Sequence, residues 1–390
     1  MVNAVYDHIV AILVICVIFV GAVVVLPALS VANIKAVDQQ QLRNTALNVF
    51  NTMLLDTGEP ANWVSIDPFD INKVTRFGLA NVRHSTFYVL DPNKVQRLIK
   101  GNPLGELPYD TVKKLLGLQG YGFTFKITPP FNVTNLDGTK IDSTHPPITL
   151  IGSTMRYAIK VSYLDGRPIP NALVEATAYY TTKNDFFITP KSSNLTDALG
   201  QCIGSVSLGK DIKVSDIRSL IVIFRVTVAN VATMVVTYAS SAVKIADINL
   251  VGDTIILTRT KDTPPNDNVW IINATYVTGY GNLRYLFNAS SKNDKLYQLN
   301  TGAKRMWNGT YVGLSYNDPV CFVLNFWAVD PLGNGRSEIV IAGPFQNMMG
   351  YAVFDYGGSE PGYGSIRLQR SVIISGMTYI AELWLWKESP

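Results

Sequence analysis

The chain has 390 residues, 47% of them hydrophobic and 16% charged, with a formal net charge of +4. That apolar content excludes disorder as the main state, and the small charge, not gathered into runs, excludes an electrostatic footprint for nucleic acid. The three cysteines, Cys16, Cys202 and Cys321, are too few for a disulfide-stapled scaffold.

Residues 9–29, IVAILVICVIFVGAVVVLPAL, contain no charged side chain. As a helix this run reaches about 31 Å, the thickness of a bilayer's hydrocarbon core, and in lipid a helix is the conformation that satisfies its own backbone. The head, MVNAVYDH, lacks Lys and Arg and the core is too long for a cleaved signal, so a retained anchor is expected. Leu42, Ala46, Val49, Phe50, Met53 and Leu54 then recur at spacings of three and four, the stripe of an amphipathic continuation. Gly58 and Pro60 are the stop signals.

Asp91-Pro92 predicts a helix start, with an acidic cap and Pro in the first turn, and Val95, Leu98 and Ile99 as its buried face. A second short helix is expected from about Asp110, burying Val112, Leu115 and Leu116. Residues 121–127 alternate as a strand with Phe123 and Phe125 on one face. Pro129, Pro130, Pro146 and Pro147 bracket a polar stretch that reads as a linker. Beyond it the period becomes two. Strands are expected around residues 157–163, 173–180, 202–208, 220–228 and 231–238, which argues for an antiparallel sandwich.

From residue 247 strands continue at 254–257, 270–277, 283–288, 310–316, 320–329, 338–342, 351–354, 371–374 and 379–386, separated by Gly- and Asn-rich turns. The fold class expected is α+β, mainly β. A transmembrane and amphipathic helix (1–58) is followed by a small α+β segment (59–128) and two antiparallel sandwich-like domains, 148–245 and 246–390. An alternative stays open, in which the last domain shares a sheet with residues 119–128.

No HExxH, GxSxG, P-loop or GxGxxG context occurs. His8, His84 and His145 read as loop or membrane-edge residues, and the cysteines are not spaced as ligand pairs. Asp137, Asp165, Asp197 and Asp330 sit beside turn residues, where the carboxylate bonds its own backbone. No catalytic, cofactor or metal residue is therefore assigned. Trp63, Trp270, Trp307, Trp327, Trp384 and Trp386 read as core or cross-strand residues, and the loop 356–365 as a connection. Sequons at Asn132, Asn194, Asn273, Asn288 and Asn308 offer glycan acceptors on an exported chain. A Cys202–Cys321 bridge is left open.

The apolar span followed by VDQQQLRNTALNVFNTMLLDTGEPANW resembles the N-terminal helix of archaeal type IV pilin-like proteins. RFGLA, FYVLDPNKVQRL and VKKLLGLQGYGFTFKI resemble the region that follows that helix in archaeal membrane-anchored surface proteins. YLDGRPIPNALVEATAYY and TDALGQCIGSVSL resemble the Ig-like or carboxypeptidase-regulatory-like repeats of surface proteins. A pilin precursor carries a basic head and a peptidase site; no Lys or Arg precedes Ile9 here, so a permanent anchor fits better than an assembled pilin. The resemblance implies a single-pass cell-surface protein without enzymatic activity or cofactor. Its partners would be the bilayer, copies of its own helix, and a surface glycan or protein, and its β domains would serve adhesion, envelope structure or assembly outside the cell. A tethered sugar- or peptide-binding module is the alternative, ahead of a tethered hydrolase.

Overall fold

A computed structural model describes residues 2–64, 70–82, 86–100, 105–142, 145–182, 186–210, 212–238, 246–251, 254–259, 267–278, 283–288, 304–308, 319–342, 354–358 and 364–388. The chain is mainly β, with sheets forming sandwich-like bodies. It opens with one continuous helix, α1 (Val2–Leu55). Among the described residues no helix is long and apolar enough to cross a membrane; side chains in the apolar part of α1 are described without a break only over residues 8–21.

A head follows, containing β1 (Val89–Leu90), α2 (Pro92–Gln96), α3 (Tyr109–Leu115) and β2 (Tyr121–Thr128). The middle strands are β3 (Asn132–Asn135), β4 (Ile148–Ile151), β5 (Thr154–Ser162), β6 (Leu173–Thr181) and β7 (Phe186–Ile188). Then come β8 (Ser192–Leu195), β9 (Gln201–Ser207), β10 (Ser219–Val228) and β11 (Val231–Tyr238). The later strands are β12 (Ala246–Val251), β13 (Thr254–Arg259), β14 (Asn268–Thr278), β15 (Leu283–Asn288) and β16 (Lys304–Asn308). The chain ends with β17 (Pro319–Val329), β18 (Gly335–Ala342), β19 (Phe354–Gly357), β20 (Ile366–Ile374) and β21 (Met377–Lys387).

The head sheet has the order β1-β20-β21-β2-β19, so β2 and the last strands of the chain share one sheet. Alternation along β2 and β21 sends Phe123, Phe125, Ile127, Ala381, Leu383 and Leu385 inward. There they meet the stripe Leu42, Ala46, Val49, Phe50, Met53 and Leu54 of α1 in one core. Asp91 caps α2 by accepting the Asn93 N–H at 2.9 Å, and Val95 and Leu98 are buried as expected.

The middle body is a sandwich. One sheet pairs β5 with β3, β4 and β9; the other runs β11-β10-β6-β7, with β8 also on β6. Met155, Tyr157, Ile159 and Val161 of the first face Val174, Ala176, Leu220, Val222 and Phe224 of the second. The stretch between the prolines is not a bare linker. β3 pairs β5 from Asn132↔Ser162 to Asn135↔Ile159, and Phe131, Val133 and Ile141 enter the sandwich core. Single inward residues separated by polar ones gave no period to detect.

β10 is buried on both faces. Leu220, Val222 and Phe224 point into the sandwich. Ile221 and Ile223 point the other way, onto Cys321 and Val323 of β17 and Ile339 and Ile341 of β18. Such a strand reads as a continuous apolar run rather than an alternating one. The outer sheets are β15-β14-β17-β18 and β12-β13-β16. Met377, at the start of β21, joins the same cluster, so head, sandwich and outer sheet meet there. The expected strand at 310–316 lies outside the described residues.

Candidate functional site

α1 has two halves with different surroundings. Its last third lies along the head sheet, and its end is tied by backbone. The final carbonyls of a helix lack intrahelical partners; here Leu79 N–H donates to Met53 O at 2.9 Å and Ala80 N–H to Asp56 O at 2.9 Å. Lys94, fully buried, donates from Nζ to Thr57 O at 2.7 Å and Ala80 O at 2.9 Å. Burial lowers its pKa to about 8, against the pull of Asp91 and Asp56. The chain passes so close that a Cβ on Gly78 would sit 2.2 Å from Asp56 O. At the other end of this contact Lys387 Nζ lies 3.2 Å from Asp38 Oδ1.

Among the described residues the first half has no such cover. The described side chains Ile9, Val10, Ile12, Leu13, Val14, Ile15, Val17, Ile18, Phe19, Val20 and Val23 are between 51% and 69% exposed. Successive residues turn by about 100°, so this run is apolar on every side rather than along one stripe.

A second feature is the head sheet's face away from α1. Trp384 and Trp386 alternate there with the inward Leu383 and Leu385, and both are half-buried. They are cross-strand residues, Trp384 opposite Thr124 and Arg367 and Trp386 opposite Gly122, whereas Trp63 is buried in the core and donates from Nε1 to Gly78 O at 3.2 Å. The Trp386 ring lies over Gly122, where a Cβ would meet its Nε1 and Cε2 at 2.5 Å. Arg367 sits 5.2 Å over Trp384 and donates to Glu382 Oε2 at 2.6 Å. Burial raises the Glu382 pKa, and the bonds from Arg367, Gln369 and Trp384 outweigh it, leaving a net lowering. Trp270 and Trp327 are a cross-strand pair, as read from sequence; the Trp307 side chain lies outside those described.

A third feature is a cleft between the sandwich and β14, lined by Glu175, Lys191, Arg225, Met234 and Val277. Glu175 bridges Lys191 at 2.9 Å and Arg225 at 2.7 Å. The room open to a water-sized sphere is about 20 Å³, enough for a single water and far below a ligand pocket.

The residues weighed for chemistry are dispersed. His8 is exposed, His145 Nδ1 lies 3.3 Å from Asp142, and His84 lies outside the described residues. Asp137, Asp165, Asp197 and Asp330 each bond a backbone N–H within their own turns. No cluster of His, Cys, Asp and Glu suited to a metal occurs among the described residues. Cys202 and Cys321 are free and lie in separate cores, so they form no bridge. Burial pushes their thiols up to about 11 and about 12. Asn273 is 5% exposed, with its Oδ1 accepting from Thr275 at 2.8 Å. Asn132 and Asn194 are half-buried, and the side chains of Asn288 and Asn308 lie outside those described.

No protein-family model and no curated protein matches the chain. Among solved structures, the chain is similar to the FN1-FN3 domains of chicken CNTN1 at 8% identity and a TM-score of 0.15, covering 52% of this chain and 69% of that one. It is similar to invasin, a bacterial integrin-binding protein, at 12% identity and a TM-score of 0.15, covering 59% of this chain and 51% of that one. At those TM-scores neither likeness supports a conclusion about this chain.

Proposed function

We propose that the protein is a non-enzymatic, single-pass, membrane-anchored cell-surface protein, pilin-like in layout. The head, in which residues 59–128 share a sheet with β19–β21, carries the sandwich of β3–β11 and the outer sheets of β12–β18, and these project outward for adhesion, envelope structure or assembly. The observation that carries this is the first half of α1, apolar on all sides and unpacked by the described residues. Burying its eleven described large side chains is worth roughly 15–30 kcal/mol, and the uncharged run is long enough to reach across a bilayer. A helix apolar all round is one buried on every side, as in a membrane span, whereas a helix at a protein surface keeps a polar face. The likeness to archaeal type IV pilin-like proteins rests on sequence, and on a helix whose second half packs against an antiparallel sheet. Self-association through α1 belongs to the same reading.

Alkaline extraction of membranes tests it. The full-length chain should stay in the pellet, while Val14→Asp with Ile18→Lys should release it, at about 2.5–3.5 kcal/mol per buried charge. Recovery of the unmodified chain in the alkaline supernatant would end the proposal.

A second reading, an anchored sugar- or peptide-binding module, is favoured by one observation: the half-buried pair Trp384 and Trp386 beside Arg367, Gln369 and Glu382 on a solvent face. Glycan-array binding that Trp386→Ala abolishes would establish it, and an array without signal would remove it.

A further inference from the structure

We infer that the head is a tension-bearing joint, built so that force between the bilayer and the outer β bodies loads it in shear. The inference rests on the anchor reading above. Residues 129–353 are an insertion between β2 and β19, which are neighbouring antiparallel strands. The outer bodies therefore hang from two adjacent strands, and both connections leave the sheet at its Thr128 and Phe354 end. Asp38 on α1 lies beside Lys387, which pairs with Tyr121 at the opposite end. Met53 is tied to Leu79, next to the Ala80–Leu90 bridge and the β1–β20 pairing near Ile374. α1 and β2 thus run the same way along the sheet, while β21 runs antiparallel to both.

Pull α1 toward the bilayer and β2 outward, and neither can be peeled. β2 must slide against β21 over the whole ladder from Tyr121↔Lys387 to Thr128↔Ile380. The stripe from Leu42 to Leu54 packs on β20 and β21, so α1 holds β21 back while β2 is drawn past it. Many bonds share the force and break together. The Lys94 and Leu79 ties at the top of α1 hold the segment that joins the two sliding elements.

Single-molecule pulling on the purified full chain in detergent micelles tests this without a bilayer. Cys16→Ser removes the exposed thiol, and Cys202 and Cys321 are buried. One handle pair joins Val37→Cys to Pro130→Cys, just past β2; the other joins Val37→Cys to the terminal Pro390. The second pair pulls on ends that lie side by side at Asp38 and Lys387, so it peels. The first pair should rupture the head at a severalfold higher force, in one step releasing the 93 residues from 37 to 130, about 300 Å of chain. Rupture at equal or lower force than the second pair, or release in several small steps, would overturn the inference. Alkaline extraction decides the anchor separately, so each can fail alone.

Discussion

Lys94→Met probes the join between α1 and the rest of the head. The ammonium is fully buried and serves two carbonyls, Thr57 O and Ala80 O. Removing it leaves both without that donor, at about 1–3 kcal/mol each. It also relieves an unfavourable buried charge, because the folded-state pKa is about 8 against an ordinary 10.5. Below about pH 8 that charge opposes folding by about 3 kcal/mol. The unfolded chain holds the proton more tightly than the folded one, so stability rises with pH between the two values. The neutral amine keeps two N–H donors, enough for both carbonyls. Between about pH 7 and about pH 9.5 the wild type should gain about 2 kcal/mol relative to Lys94→Met. Urea unfolding of both chains in non-ionic micelles, followed by tryptophan emission, gives the difference at each pH, and other titrations cancel in it. A difference that stays flat over this window would refute the reasoning.

Gly78→Ala should cost more than about 3 kcal/mol, because its Cβ meets backbone at Asp56 and Gly58 rather than a side chain that can swing away; a thermal melt of the head checks it. Phe224→Ala, which removes a ring set edge-on 5.3 Å from Tyr157, should cost about 3–5 kcal/mol, read by denaturant titration of the sandwich. Cys202 and Cys321 should resist a thiol reagent until the chain unfolds, since both are buried and their thiolates disfavoured; mass spectrometry of the labelled native chain follows this. Asn273 should carry no glycan in folded protein, and a modified Asn273 peptide would contradict its placement in β14.

What could be read beforehand follows from how each residue is buried. The α1 stripe was legible because six side chains recur on one face and all six enter one core. β5, β6, β9, β10 and β11 were legible as strands because they alternate or carry β-branched runs. β3, β4 and β8 were not, being four residues long and held by pairing with β5 or β6. β10 showed its strand type but hid its second partner, since an unbroken apolar run does not say what lies on each side. For Trp384 and Trp386 the sequence left core and cross-strand placement open, and strand parity decides it: Leu383 and Leu385 take the inner face, and the rings lie on their cross-strand neighbours outside. The turn aspartates were read correctly because their partners lie two to four residues away. The Glu175 and Glu382 clusters join residues across strands, and no spacing in the sequence announces them.

The same logic separates the two halves of α1. A helix that packs on protein needs only one apolar face, and residues 42–54 keep polar partners such as Asn44 and Asn48 between the buried ones. Residues 9–20 keep none, so no polar face marks a stripe. Between them Val37, Asp38, Gln39, Gln40 and Gln41 are all exposed, a short collar belonging to neither environment. A continuous backbone thus passes from an all-round apolar surface, through water, onto a sheet within the span of one helix. Packing among the described residues accounts for the last of these and leaves the first uncovered by them, which is the observation the proposed anchor answers.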